Sequence, residues 1–196
     1  MFVDHLPYVT RLEKRPIDAI DLVVVHCTEL PDLAVAREYG ERVHYPDTGT
    51  GNSGHYYIGR CGRVEEWVPP DRVAHHVRDF NERSIGIELD NPGRFPDWYD
   101  SGHQEMKQPY TRPQLENLVR LLQVLQNAIP GLKRISGHEM LDRERVASSN
   151  DPDVLVRRKT DPGPHFPWQK VIAATGLEFM DSPGPRLELV SAHPPR

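Results

Sequence analysis

The strongest constraint on the fold is the segment Leu22-Val23-Val24-Val25-His26, in which apolar, mostly β-branched residues run without interruption into a histidine. A strand with one wet face alternates apolar and polar residues, whereas an unbroken apolar run belongs to a strand covered on both sides. The chain is therefore expected to sandwich a sheet between other layers. The same run delivers an imidazole to the end of a strand, and in open α/β sheets ligands and catalytic groups gather at the carboxyl ends of strands.

The neighbouring segments supply the rest of an α/β pattern. Tyr56-Tyr57-Ile58 reads as a strand, Arg60-Cys61-Gly62-Arg63 as a turn, and Val64 to Val68 as the returning arm of a hairpin. Ser84 to Leu89 reads as another strand, with Ile85, Ile87 and Leu89 on one face and Gly86 and Glu88 on the other. A helix is predicted to begin at Thr111, where Thr111 and Gln114 have the spacing of a capping box. Leu115, Leu118, Val119, Leu122, Leu125 and Ile129 form its apolar stripe, and Pro130-Gly131 stops it. Shorter helices are expected from Asp32 to about Tyr39 and from Pro167 through Ala174, the latter stopped by Gly176. Residues 46–54, 92–109 and 148–154 read as irregular loops on composition. Strands alternating with helices imply an α/β sheet.

The 196 residues suit one domain, taken as 1–180, followed by a proline-rich, poorly ordered tail over 181–196. A formal charge of −5 gives no basic surplus for nucleic acid or an anionic membrane surface. No stretch approaches the ~20 apolar residues that span a bilayer, and residues 1–21 contain no apolar run like that of a signal peptide. Cys27 and Cys61 form no CxxC pair and read as free thiols. These features predict a cytoplasmic protein with no nucleic-acid or membrane partner, and a monomer is the expectation.

Three places carry the chemistry. His26 ends the buried strand, although a histidine capping a strand edge reads as plausibly from that fact alone. His138 follows the apolar residue Ile135 in Ser136-Gly137-His138-Glu139, where the second histidine of an HExxH helix site is absent. Arg158-Lys159-Thr160-Asp161-Pro162-Gly163-Pro164 sets a lysine and a carboxylate in a stretch stiffened by prolines, which also reads as a rigid turn before the last helix. Together His26, His138 and Asp161 would supply two imidazoles and a carboxylate, a donor set suited to catalytic zinc. Glu88 would then move a proton and Lys159 would stabilise an oxyanion. Spacing alone does not assemble these residues.

Several motifs in one order supply the link. The succession Val23-Val24-Val25-His26, Ser53-Gly54-His55-Tyr56, Ala74-His75-His76, Asn81 with Ser84 to Leu89, Gly137-His138, Arg158 to Pro164 and Phe166-Pro167-Trp168 resembles the type 2 N-acetylmuramoyl-L-alanine amidases over residues 21–175. Lys159-Thr160-Asp161-Pro162-Gly163-Pro164 is the most specific of them. The resemblance implies a single α/β domain with a mixed central sheet flanked by helices. It implies zinc (Zn2+) held by His26, His138 and Asp161, catalysis by Glu88 and Lys159, and substrate binding by His76 and Asn81. The implied substrate is peptidoglycan or a muropeptide, cut between N-acetylmuramic acid and L-alanine. Gly54 stands where phage-type amidases and peptidoglycan-recognition amidases place a tyrosine, and Asp161 where they place a cysteine. Glu88 with Lys159 and Asp161 instead resembles the branch that processes anhydromuropeptides.

Cys27 adjoins His26 but points the other way on a strand, so it is left out of the ligand set. His55, His75 and His165 are left out as well, packing, substrate contact or exposure accounting for each. The spacer between His138 and Lys159 is longer than in compact relatives and is expected to reshape one wall of the groove. Three rival readings share the fold: an endolysin attacking intact sacculi, a non-catalytic peptidoglycan-binding module, and a metal amidohydrolase with an unrelated substrate.

Overall fold

The run that begins at Leu22 is an interior strand of the main sheet, next to its middle strand. β2 (Leu22–Cys27) is buried at every position and pairs in parallel with β5 (Ser84–Leu89) on one side and β6 (Arg134–Gly137) on the other. The computed structural model describes residues 1–181; the expected tail lies, from residue 182 onward, outside the described residues. Around β2 the sheet extends to seven strands in the order β1-β4-β3-β5-β2-β6-β9. Here β1 is Phe2–Val3, β3 Tyr56–Ile58, β4 Val64–Glu66 and β9 Glu178–Phe179. β3 runs parallel to β5 but antiparallel to β4 across their hairpin, and this makes the sheet mixed.

The two faces of the sheet have different jobs. Val23, Val25 and Cys27 share one face with Ile85, Ile87 and Leu89, under α2 (Arg112–Ala128) and α4 (Trp168–Thr175). Cys27 therefore points into this apolar layer and away from the face that carries His26. At the start of α2 the Thr111 hydroxyl accepts from the Gln114 amide and the Gln114 side chain accepts from the Thr111 amide, so the capping box is complete. The helix then buries Leu118, Leu121, Leu122 and Leu125 against the sheet. Gly176, at φ 69°, ends α4 in the left-handed conformation that glycine adopts without strain.

On the opposite face α1 (Leu33–Gly40) starts at Asp32, whose carboxylate accepts from the Val35 amide at 2.9 Å. It packs over Tyr57 and Trp67, whose rings stack at 3.4 Å, and over the N-terminal residues Leu6 and Tyr8. Among the described residues no helix is long and apolar enough to cross a membrane.

The long spacer after His138 is more ordered than its composition indicated. A one-turn helix, α3 (His138–Leu141), leads to an antiparallel pair, β7 (Arg145–Ala147) and β8 (Leu155–Arg157), with the loop 148–154 at its tip. Three residues per strand, mostly exposed, are too few for periodicity to register. This hairpin is fastened to the loop 92–109 by Arg94, which is 1% exposed. Its guanidinium donates Nε to Glu29 Oε1 at 2.7 Å and Nη2 to Glu29 Oε2 at 3.0 Å, and Nη1 to the Arg157 carbonyl at 3.0 Å. Such a pair adds little over apolar packing, but breaking it strands a buried charge. Arg94→Leu is therefore expected to cost about 3–5 kcal/mol in urea denaturation, and a loss under about 1 kcal/mol would mean that water solvates Glu29 there.

Candidate active site

Strand parity and register assemble the centre. His26 lies on the face of β2 opposite Cys27, and the β2–β5 register sets it directly beside Glu88. On the other side of β2, β6 ends at Gly137 and hands His138 to the first position of α3. The segment after β8 brings Asp161 to the same place, held there by the Glu139 amide donating to the Asp161 carbonyl at 2.9 Å. His26 Nδ1 is 2.9 Å from Asp161 Oδ2 and 3.0 Å from His138 Nδ1, and His138 Nδ1 is 3.1 Å from the same Oδ2. All three side chains are buried.

This cluster has the chemistry of a cation site. Its three donor atoms lie within 4.8 Å of one another, and among the described residues no other group of histidine, cysteine, aspartate or glutamate side chains is gathered this way. Asp161 Oδ1 is buried without any hydrogen-bond partner. Leaving such an atom unpaired costs on the order of 1–3 kcal/mol, a penalty that a cation shared with the imidazoles would relieve. Two imidazole nitrogens and one carboxylate fit zinc with a position left open.

The electrostatics of the carboxylates diverge. Burial works against the Asp161 carboxylate, but attraction and hydrogen bonding from His138 and His26 outweigh it and hold its carboxyl well below the usual range. Burial pushes the Glu88 carboxyl up to about 7, with His26 opposing the rise and Asp161 adding to it. Burial lowers His138, with Asp161 pulling the other way. One carboxylate thus stays ionised beside the imidazoles, while the other sits where a proton can come and go.

Glu88 Oε1 stands 3.9 Å from His26 Nδ1 and is 14% exposed, at the floor of a cleft of about 510 Å³. Lys159, His76 and Asn81 line the same cleft. All seven residues expected from the sequence are therefore brought together. His76 is also engaged from below: its Nδ1 is 3.0 Å from His26 Nε2 and its Nε2 is 3.2 Å from the Ser84 hydroxyl. Asn81 spends its side-chain oxygen on the backbone amides of His76 and Val77, at 2.9 and 2.8 Å. Gly54 leaves space that a side chain would take from the centre, since a Cβ there would lie 3.0 Å from Glu88 Cγ.

Of the histidines set aside, His75 lines the cleft with its ring against Tyr45 at 4.9 Å. His55 is buried against Arg15 and the Gly86 amide, and His165 is exposed. Sequence reasoning missed Ser84, the Glu29–Arg94 pair, and the cleft residues Trp98 and Tyr99. For the last four no signal was present. Ser84 left no signal of its own either; the glycine two residues on marks the close approach of the His76 ring, since a Cβ at Gly86 would lie 2.6 Å from it.

The sequence pattern of the N-acetylmuramoyl-L-alanine amidase family (Amidase_2) matches residues 15–164, a span that contains all seven of these residues. The chain belongs to this family. Among its relatives, the 1,6-anhydro-N-acetylmuramyl-L-alanine amidase AmpD of Enterobacter cloacae is 32% identical over 122 residues, covering 58% of this chain and 51% of AmpD. The chain thus spans about half the length of that relative. Among solved structures, the N-acetylmuramoyl-L-alanine amidase LysC of Clostridium intestinale superposes with a TM-score of 0.62 at 20% identity, covering 90% of this chain and 97% of LysC. The E. coli amidase AmiD, solved with its substrate anhydro-N-acetylmuramic acid-L-Ala-D-γ-Glu-L-Lys, gives 0.59 at 24% identity, covering 83% of this chain and 59% of AmiD. At these identities the structural likeness is one of fold, and it agrees with the mixed sheet and flanking helices of the amidase family.

Proposed function

We propose that this amidase hydrolyses the bond between the lactyl carbonyl of N-acetylmuramic acid and the nitrogen of L-alanine in peptidoglycan fragments, with zinc held by His26, His138 and Asp161. The observation that carries the reading is the convergence of two imidazole nitrogens and a carboxylate oxygen beside Glu88 at the floor of an open cleft. When bound, zinc supplies Lewis acidity at neutral pH. Asp161 and the two imidazoles hold the ion, and the burial of all three keeps competing water away from their donor atoms. Glu88 takes the proton of the attacking water on a carboxylate oxygen and passes it to the alanine nitrogen as the C–N bond breaks. Lys159, whose positive charge acts on Glu88 from the same cleft, stabilises the negative charge that develops on the carbonyl oxygen.

The substrate class is read from three supports: a relative named as a 1,6-anhydro-N-acetylmuramyl-L-alanine amidase, and, from the family resemblance, Asp161 where other branches place a cysteine and Gly54 where they place a tyrosine. They favour soluble anhydromuropeptides over intact walls. The unpaired thiols Cys27 and Cys61 suit a reducing compartment, which supports a role in cytoplasmic fragment recycling. Mass spectrometry of products from defined muropeptides, run beside turbidity loss of purified sacculi, tests bond and substrate together. The expected result is release of a stem peptide with a free L-alanine amino end, and kcat/KM on anhydromuropeptides far above that on sacculi. Equal efficiency on sacculi would remove the recycling role and leave the amidase assignment, and cleavage elsewhere in the muropeptide would remove both.

A further inference from the structure

His26 presents two nitrogens to two different neighbourhoods, and only one of them belongs to the ligand cluster. Nδ1 faces Asp161 and His138, while Nε2 lies 3.0 Å from His76 Nδ1. The far side of His76 then leads to a fixed end: its Nε2 is 3.2 Å from Ser84 Oγ, and Ser84 Oγ donates to the Phe80 carbonyl at 2.7 Å.

A carbonyl can only accept, and this sets the direction of every bond in the series. Ser84 gives its proton to Phe80, so its oxygen accepts from His76 Nε2–H. A neutral His76 protonated there has a lone pair on Nδ1, which accepts from His26 Nε2–H. His26 is then left with a lone pair on Nδ1, the atom that faces Asp161. We infer that His76 and Ser84 form a directed relay which holds His26 in the tautomer and ring orientation needed to ligate the metal, making His76 a positioning residue rather than only a wall of the groove.

Two further features are built around this ring. Gly86 provides the flat stretch of β5 on which it lies, since a Cβ there would meet the ring at 2.6–2.9 Å. Asn81 fixes the backbone that carries it by accepting from the His76 and Val77 amides. A side chain whose only task was to touch substrate would need neither both ring nitrogens bonded inward nor a glycine beneath it.

The inference rests on the zinc reading above, and its test separates the two. Zinc affinity is measured by competition with a chromophoric chelator on wild-type, His76→Phe, His76→Asn and Ser84→Ala proteins, with thermal melts as a control for folding. His76→Phe keeps a ring over Gly86 but accepts nothing, and is expected to weaken zinc binding by about 10–100-fold. His76→Asn places an amide oxygen near the position of Nδ1 and is expected to recover most of that loss. Ser84→Ala frees the His76 tautomer without touching His26, and is expected to weaken binding by a smaller factor.

In zinc-loaded protein with 15N-labelled histidine, His76 is expected as the Nε2–H tautomer, with a coupling across the hydrogen bond between His26 Nε2 and His76 Nδ1. His76 carrying its proton on Nδ1 overturns the relay, as does a folded His76→Phe variant that binds zinc as tightly as wild type. Wild-type protein that binds no zinc removes the metal reading and the relay with it, whereas tight binding by both wild type and His76→Phe removes the relay alone.

Discussion

Asp161→Ala is expected to leave the purified protein with less than about a tenth of the wild-type zinc and to abolish turnover. With three protein donors there is little redundancy, and losing the carboxylate also removes the negative charge that favours a dication over a proton at the two imidazoles. Metal activation of this kind is worth several kcal/mol, so the loss in rate is expected on the order of 10³-fold or more. His26→Ala and His138→Ala should behave alike, and chelation followed by zinc should abolish and then restore wild-type activity. The informative companion is Asp161→Cys. A thiolate is a good zinc ligand, so this variant should hold metal where Asp161→Ala does not, and any change in its rate then reports on ligand charge and softness rather than on metal loss. Elemental analysis beside a muropeptide assay reads both quantities. Full activity in wild-type protein shown to be free of metal would sink the mechanism, and normal zinc content in Asp161→Ala would move the ligand elsewhere.

The parts of this molecule that were legible in the sequence are those whose physics is local. The unbroken Leu22–Val25 run specified a doubly covered strand, the alternation in Ser84 to Leu89 specified which face Glu88 would take, and Thr111 with Gln114 marked the first turn of α2. The stripe on α2 was slightly misplaced: Leu121 is buried and Val119 only partly so, because the tertiary partners of a helix, α4 among them, choose its buried edge. The two-residue strands β1 and β9 and the β7–β8 hairpin left no pattern, since their pairing is fixed by neighbours and not by their own residues. The centre itself was least legible. His26 meets His138 and Asp161 across 112 and 135 residues of chain, and no local periodicity encodes a contact at that range. The order of several motifs connected them, through resemblance to a family, and the register of β2 against β5 and β6 supplies the physical reason the connection works.

Glu88→Gln should separate proton transfer from metal binding. The amide is close to the carboxylate in shape, so the β5 backbone, the Gly54 contact and the His26 neighbourhood are kept, and zinc content is expected to stay near wild type. What is lost, on the proposed mechanism, is the ability to accept a proton from water and return it to the leaving nitrogen. Removing a general base typically costs about 10²–10⁴-fold, and the loss should fall on kcat with little change in KM, because the group acts in the transition state and contributes little to ground-state binding. Lys159→Met is expected to cost about 10²–10³-fold by withdrawing the charge proposed to stabilise the oxyanion. It also removes a cation that helps keep Glu88 ionised, so the two substitutions are coupled through one another. The double variant should therefore lose less than the product of the single losses, as residues acting as a unit do. Single-turnover rates on a defined muropeptide, measured on variants of verified zinc content, decide the matter. A zinc-replete Glu88→Gln protein with wild-type turnover would show that the proton goes to some other group, and strictly multiplicative losses would show that Lys159 acts on the substrate without any part in holding Glu88 ionised.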